Sequence, residues 1–267
     1  MINNSLINAI HCPICNSHID KFKKTCFCKN YRVCDNIICS NVTAEEMHVR
    51  DSQASGYLQH SKFPVQVHSF LKWFTRLKQR QSSILELGCG PGPYTSIMSQ
   101  NNLVLGVDFS KKSLEINSES CSEKANYILL QEDLNNIIFS RFEFDTLVMA
   151  DFLQHLGSRK KRELLLNKAF SRLKPGGEFY LTFFNINILH YFRGDIHGGW
   201  VYDGILYERL TIENIVSLLP TGTLIKRIRP MNIFQEWPKI DYMLSRLPMS
   251  RYFGRMIEIT GEKSRVF

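Results

Sequence analysis

The stretch Ile84-Leu85-Glu86-Leu87-Gly88-Cys89-Gly90-Pro91-Gly92 carries an apolar strand straight into three alternating glycines, with a helix expected beyond them. Glycines allow a tight turn at the end of the strand and let the backbone approach a bound ligand closely. Twenty residues after Gly88, a second apolar run, Leu103-Val104-Leu105-Gly106-Val107, ends on Asp108, with Phe109 beside it. A carboxylate at the tip of a second strand accepts hydrogen bonds from both hydroxyls of a ribose. The two runs together outline a pocket for an adenosine-containing ligand.

The dinucleotide fingerprint requires Gly-x-Gly-x-x-Gly, and here the third position is Pro93. With glycines at 88, 90 and 92 and Glu86 ahead of them, the loop resembles that of the class I S-adenosylmethionine-dependent methyltransferases. Further motifs follow in the order of that family. Tyr127-Ile128-Leu129-Leu130 reads as a third strand, followed by Gln131-Glu132-Asp133-Leu134, and Phe144-Asp145-Thr146-Leu147-Val148-Met149 reads as a fourth. Leu173-Lys174-Pro175-Gly176-Gly177-Glu178 reads as a turn into a fifth strand, Phe179 to Phe184. The resemblance spans residues 84 to 184. It implies that Glu86, Gly88, Gly90, Asp108, Phe109, Asp133, Leu134, Ala150 and Asp151 bind the cofactor, Asp133 through the adenine amino group and Leu134 through its backbone amide. Tyr57, in the lead-in segment, is the candidate aromatic ring near the sulfonium.

The implied fold is α/β: a Rossmann-like, seven-stranded, mostly parallel sheet with helices on both faces. Strands alternate with helical stretches at 110–119 and 158–172, as in a parallel sheet. The closing strands are expected at 223–229 and 256–261, the last antiparallel. An insert at 185–210, rich in aromatics, histidines and glycines, is expected to shape the acceptor pocket. His155, His190 and His197 are the candidate general bases. Cys89 fills a variable slot in the glycine loop and reads as a small packed residue.

Six of the eight cysteines fall between Cys12 and Cys39. In a chain without a secretory signal, that density points to metal before disulfides. Cys12-Pro13-Ile14-Cys15 has the spacing that lets two thiolates share one tetrahedral zinc ion, and Cys34 and Cys39 are the expected second pair. Cys26 and Cys28 are alternatives, with His11 and His18 in reserve. The chain divides into a Cys-rich zinc-binding module at 1–45, a helical linker and lid at 46–80, and a methyltransferase domain at 81–267.

No apolar run is long enough to span a bilayer, and the Asn-rich start is no secretory signal, so the expected location is the cytoplasm without membrane contact. The balance of 33 basic against 25 acidic residues, net +8, favours an anionic partner. The expected reaction is methyl transfer to a small-molecule acceptor. The zinc module and positive charge keep ribosomal or transfer RNA as the alternative, and a non-catalytic cofactor-binding scaffold is a third reading.

Overall fold

The computed structural model describes residues 17, 31–34, 36–40, 45–60, 64–77, 82–121, 126–134, 142–201, 205–234 and 236–265. Its strands are β1 (Tyr31–Cys34), β2 (Ile37–Ser40), β3 (Ser83–Leu87), β4 (Leu103–Asp108), β5 (Tyr127–Gln131), β6 (Phe144–Met149), β7 (Leu173–Phe184), β8 (Gly198–Val201), β9 (Ile205–Glu208), β10 (Thr223–Met231) and β11 (Met256–Lys263). Nine of them form one sheet in the order β1-β2-β5-β4-β3-β6-β7-β11-β10. The pairs from β2 through β7 are parallel, and β11 runs antiparallel to both β7 and β10.

Apolar side chains alternate between the two faces of the sheet, which is why the central strands read as continuous hydrophobic runs. Leu85, Leu87, Leu105, Val107, Ile128, Leu130, Leu147 and Met149 share one core with Leu165, Leu166 and Phe170 of the Arg159–Ser171 helix. Ile84, Val104, Tyr127, Leu129 and Val148 face the other way, onto Phe70 and Trp73 of the Pro64–Phe74 helix and Leu114 of the Lys111–Ser120 helix. Helices therefore cover both faces, as expected. Ser110 and Ser158 each accept a backbone N–H at the start of a helix, which fixes the boundaries read from the sequence, and Thr211 does the same for the Ile212–Val216 helix.

The sheet differs from the expected seven strands. The β1–β2 hairpin adds two more, with β2 parallel to β5 through Ile37–Leu129 and Ile38–Leu130. Ile37 and Ile38 are buried there, so their apolar side chains bring the hairpin onto an otherwise open edge. The described residues 31–34 and 37–40 thus extend the main sheet. The expected turn at 173–178 is instead the first half of β7, broken by Gly176 in the left-handed region and by a register shift against β6.

For the expected zinc ligands, Cys34 lies in β1, and Cys39, in β2, is half-buried against the apolar cluster of Phe70, Trp73 and Leu129. Among the described residues, no three His, Cys, Asp or Glu side chains come together as a metal site. Cys12, Cys15, Cys26, Cys28, His11 and His18 lie outside the described residues. Among the described residues, no helix is long and apolar enough to cross a membrane.

The lead-in helices are tied to the sheet by polar contacts. Asp51, on the Glu45–His60 helix, accepts the Ser110 hydroxyl at 2.6 Å and the Lys112 N–H at 3.2 Å. This places a carboxylate at the positive end of the Lys111–Ser120 helix. Ser69, on the Pro64–Phe74 helix, donates to Glu258, which also pairs with Arg229 at 2.8 Å in the interior. The two helices thereby form one wall of a cavity at the carboxyl ends of the parallel strands.

Candidate functional site

The cavity has a volume of about 1070 Å³ and opens where the β3, β4 and β6 tips meet the lead-in helices and the insert. Open α/β sheets bind ligands at this end, because the strand-to-helix loops and helix N-termini converge there.

Gly88 and Gly90 both adopt left-handed backbone, at φ +69° and +50°. A Cβ on Gly88 would sit 2.6 Å from the Phe152 ring, whereas one on Gly90 would meet open space. Gly88 is therefore required by packing and backbone, and Gly90 by backbone alone. Asp108 fastens this loop: its Oδ2 accepts the Gly90 N–H and its Oδ1 the Ser110 N–H, both at 2.9 Å. Burial raises the Asp108 pKa, an effect opposed by those two N–H groups and by the nearby Arg50 guanidinium.

Glu86 occupies a different place from the other acids. It is 2% exposed and does not line the cavity; its Oε2 accepts the Thr95 hydroxyl at 2.6 Å. Asn117 completes the arrangement by donating to Thr95 Oγ1 at 3.0 Å and to the Gly90 carbonyl at 2.8 Å. Glu86 therefore braces the loop from behind. Burial pushes its carboxyl up to about 8, with the Thr95 hydrogen bond opposing and the Asp108 charge adding to the effect. Cys89 is buried too, and burial raises its thiol well above the ordinary range, which fits a packing role.

Phe109, Asp133, Leu134, Ala150 and Asp151 all line the cavity, as does Arg50, whose guanidinium lies 5.8 Å from the Phe109 ring centroid. Asp151 is a non-glycine residue at φ 56°, held there by Thr182, which accepts its N–H at 2.9 Å and donates to its carboxylate. Burial pushes Asp151 up to about 6, against the Thr182 hydrogen bond. Tyr57 lies in the Glu45–His60 helix, and its side chain is outside what is described.

The three histidines separate. His155 lines the cavity, and its Nδ1 lies 2.9 Å from the Leu206 carbonyl of β9. A carbonyl only accepts, so Nδ1 carries the hydrogen and Nε2 keeps its lone pair. Burial, reinforced by Arg50, lowers the His155 pKa to about 4, so the ring is neutral at neutral pH. His190 also lines the cavity, but its Nδ1 accepts the Asn187 N–H at 3.0 Å in a capping box. His197 is not on this wall; it lines a smaller cavity of about 380 Å³ beside Arg159 and Arg162.

The insert is closed at its base, where Ile186 N–H donates to the Leu210 carbonyl at 3.1 Å and Leu210 N–H to the Phe184 carbonyl at 2.8 Å. From that base rise the Ile188–Arg193 helix and the β8–β9 hairpin, which carry Arg193, Tyr207 and Arg209 to the cavity. Sequence reasoning did not single out Arg50, Arg193, Arg209 or Arg255. Only the net positive charge hinted at them.

Residues 84–177 match the family model described as a methyltransferase domain. A Bos taurus protein described as probable tRNA methyltransferase 9B is 25% identical over 138 residues, 51% of this chain and 29% of that protein. The chain thus covers under a third of that relative's length. Among solved structures, an S-adenosylmethionine-dependent methyltransferase from Methanosarcina mazei aligns with a TM-score of 0.55 at 18% identity, over 72% of this chain and 97% of that one. The N-methyltransferase NodS from Bradyrhizobium japonicum, in complex with S-adenosyl-L-homocysteine, aligns with a TM-score of 0.58 at 12% identity, over 82% and 99%. The fold is that of these enzymes, and residues 84–177 of the chain match a methyltransferase domain.

The Glu86 environment has a measurable consequence. A carboxyl whose pKa is raised in the folded state adds stability that is complete below its unfolded value and is lost as pH rises through the folded value. For Glu86 that window runs from its ordinary 4.5 up to about 8. Glu86→Gln, which still accepts from Thr95, should therefore gain stability relative to the parent as pH rises. Urea midpoints for both proteins at about pH 5 and about pH 9 check this, and a pH-independent difference contradicts it.

Proposed function

We propose that the methyltransferase domain of this chain transfers a methyl group from S-adenosylmethionine to a small-molecule acceptor in the cavity beneath the insert. The observation that carries this reading is Asp108, a cavity-lining carboxylate at the tip of β4 whose two oxygens hold the Gly90 and Ser110 amides. Each carboxylate oxygen has a second acceptor site, which suits it to a pair of ribose hydroxyls. Asp133, the Leu134 backbone amide and Phe109 would bind the adenine end, and Ala150 and Asp151 would flank the reacting end. Glu86 supports that site through Thr95 and the loop.

When bound, the cofactor supplies an electrophilic methyl group on a sulfonium. The protein's work is then positioning and the exclusion of water. The β8–β9 hairpin covers the cavity and is joined to its wall through His155 and the Leu206 carbonyl. His155 is neutral, and its Nε2 lone pair, now 3.5 Å from the Gln154 side-chain nitrogen, would orient an acceptor proton by accepting it in a hydrogen bond in place of Gln154. With a pKa near 4, it is a weak base.

An RNA acceptor is a second reading. It draws support from the tRNA methyltransferase relative and from the cations Lys72, Arg76, Arg227 and Arg246 gathered around Tyr242. On cysteine spacing alone, we further propose a structural zinc held by Cys12, Cys15, Cys34 and Cys39, with Cys26 and Cys28 as alternatives.

Asp108→Ala should weaken S-adenosylhomocysteine binding by about 10- to 100-fold, because hydrogen bonds to a charged acceptor are lost. Calorimetric titration of both proteins checks this, and equal affinity contradicts it. With methyl-labelled cofactor and a cell extract, label should enter the low-molecular-weight fraction; label confined to RNA overturns the small-molecule reading. Elemental analysis of the purified full chain should find about one zinc per chain, lost in the Cys12→Ser/Cys15→Ser variant. Zinc-free parent protein contradicts the metal site.

A further inference from the structure

The cavity is electrically two-sided. Its strand-tip lining carries Asp108, Asp133 and Asp151, with the Arg50 guanidinium near Asp108. Away from the strand tips, the lining carries Arg193, Arg209 and Arg255, from the insert and the start of β11, against a single carboxylate, Asp195. That carboxylate is already engaged. Arg209 holds it at 2.6 Å, and the same guanidinium donates to the Asp195 carbonyl at 2.9 Å and to the Tyr207 hydroxyl at 3.0 Å. Among the described residues, neither Arg193 nor Arg255 has a hydrogen-bond or ion-pair partner for its side chain.

We propose that Arg193 and Arg255 bind an anionic group, a carboxylate or a phosphate monoester, on the acceptor molecule. This rests on the methyltransferase reading for the identity of the ligand, but not for the existence of the anion site.

Both side chains are exposed, and three features set the pair apart from scattered surface arginines. First, both line the same cavity although they come from different elements, Arg193 from the end of the Ile188–Arg193 helix and Arg255 from the residue before β11. Second, their backbones are anchored. The Arg255 carbonyl accepts the Asn185 N–H at 2.8 Å, and the helix bearing Arg193 is stopped by Gly194 in the left-handed region. Third, both guanidiniums act on the same neighbour, His190, whose pKa is lowered by burial and then by Arg209, Arg193 and Arg255, with Asp195 opposing. Cations converging on one cavity wall repel one another, and a bound anion relieves that repulsion. Guanidinium forks also match the planar geometry of carboxylate and phosphate oxygens, and two of them fix an orientation as well as a charge. An acceptor held by its anionic end on this wall would extend its reacting atom toward the strand tips, where Ala150 and Asp151 lie.

The test is calorimetric titration of the full chain with inorganic phosphate and, separately, with malonate, in the presence and absence of S-adenosylhomocysteine. The parent should bind at least one of the two anions, and the preferred one distinguishes a phosphate from a carboxylate acceptor. Arg193→Gln/Arg255→Gln should weaken that binding by about tenfold or more while leaving S-adenosylhomocysteine affinity unchanged. Arg193→Lys/Arg255→Lys, which keeps the charge, should recover part of the loss. A parent that binds neither anion, or a Gln variant that binds them as well as the parent, overturns the proposal. If neither protein binds S-adenosylhomocysteine but the anion difference persists, the anion site stands and the methyltransferase reading falls.

Discussion

The hydrogen bond between the Gly90 amide and the Asp108 carboxylate is the constraint on which the rest of the site depends. It joins the turn after β3 to the tip of β4, and so sets the floor of the cavity. The turn can reach that position because Gly88 and Gly90 accept left-handed backbone and because the Phe152 ring fills the space a Gly88 side chain would need. Behind the turn, Glu86, Thr95 and Asn117 form a buried polar brace that ends on the Gly90 carbonyl. The loop is thus held by its N–H from one side and its carbonyl from the other. A buried, fully connected network of this kind rigidifies what it touches, and rigidity is what a site that works by alignment requires.

The same economy appears at the fourth strand. Asp151 occupies a backbone region that non-glycine residues seldom enter, and Thr182 on β7 satisfies both its N–H and its carboxylate. The strain and the buried acid sit together in the cavity lining, beside Ala150. The two walls then divide the labour by charge, with carboxylates at the strand tips and guanidiniums beneath the insert. Arg50 and His155 lie between them, on the lead-in helix and the segment after β6, and Arg50 helps keep the imidazole neutral.

Much of this was legible in the sequence because it is local. Apolar runs ending in glycine or aspartate marked β3 and β4, and the helical stretches beginning at 110 and 158 start where Ser110 and Ser158 accept hydrogen bonds spanning three residues. Long-range placement was not legible. Glu86 reads as a ligand-facing acid by its distance from Gly88, yet the turn rotates Thr95 into its path and leaves it behind the loop. The β1–β2 hairpin joined the sheet because Ile37 and Ile38 found an open edge, which no spacing of cysteines announces. Arg50, Arg193 and Arg255 come from three separate elements, and only the fold brings them to one cavity. His197, two residues from Asp195 in sequence, faces a different cavity because the β8 strand begins beside it.

The most direct measurement is a crystal structure of the full chain grown with S-adenosylhomocysteine. The nucleoside should lie across the glycine loop with both ribose hydroxyls within hydrogen-bond distance of Asp108 and the sulfur directed toward Ala150 and Asp151. Density for the nucleoside elsewhere on the chain, or none at all at saturating ligand, would contradict the central claim.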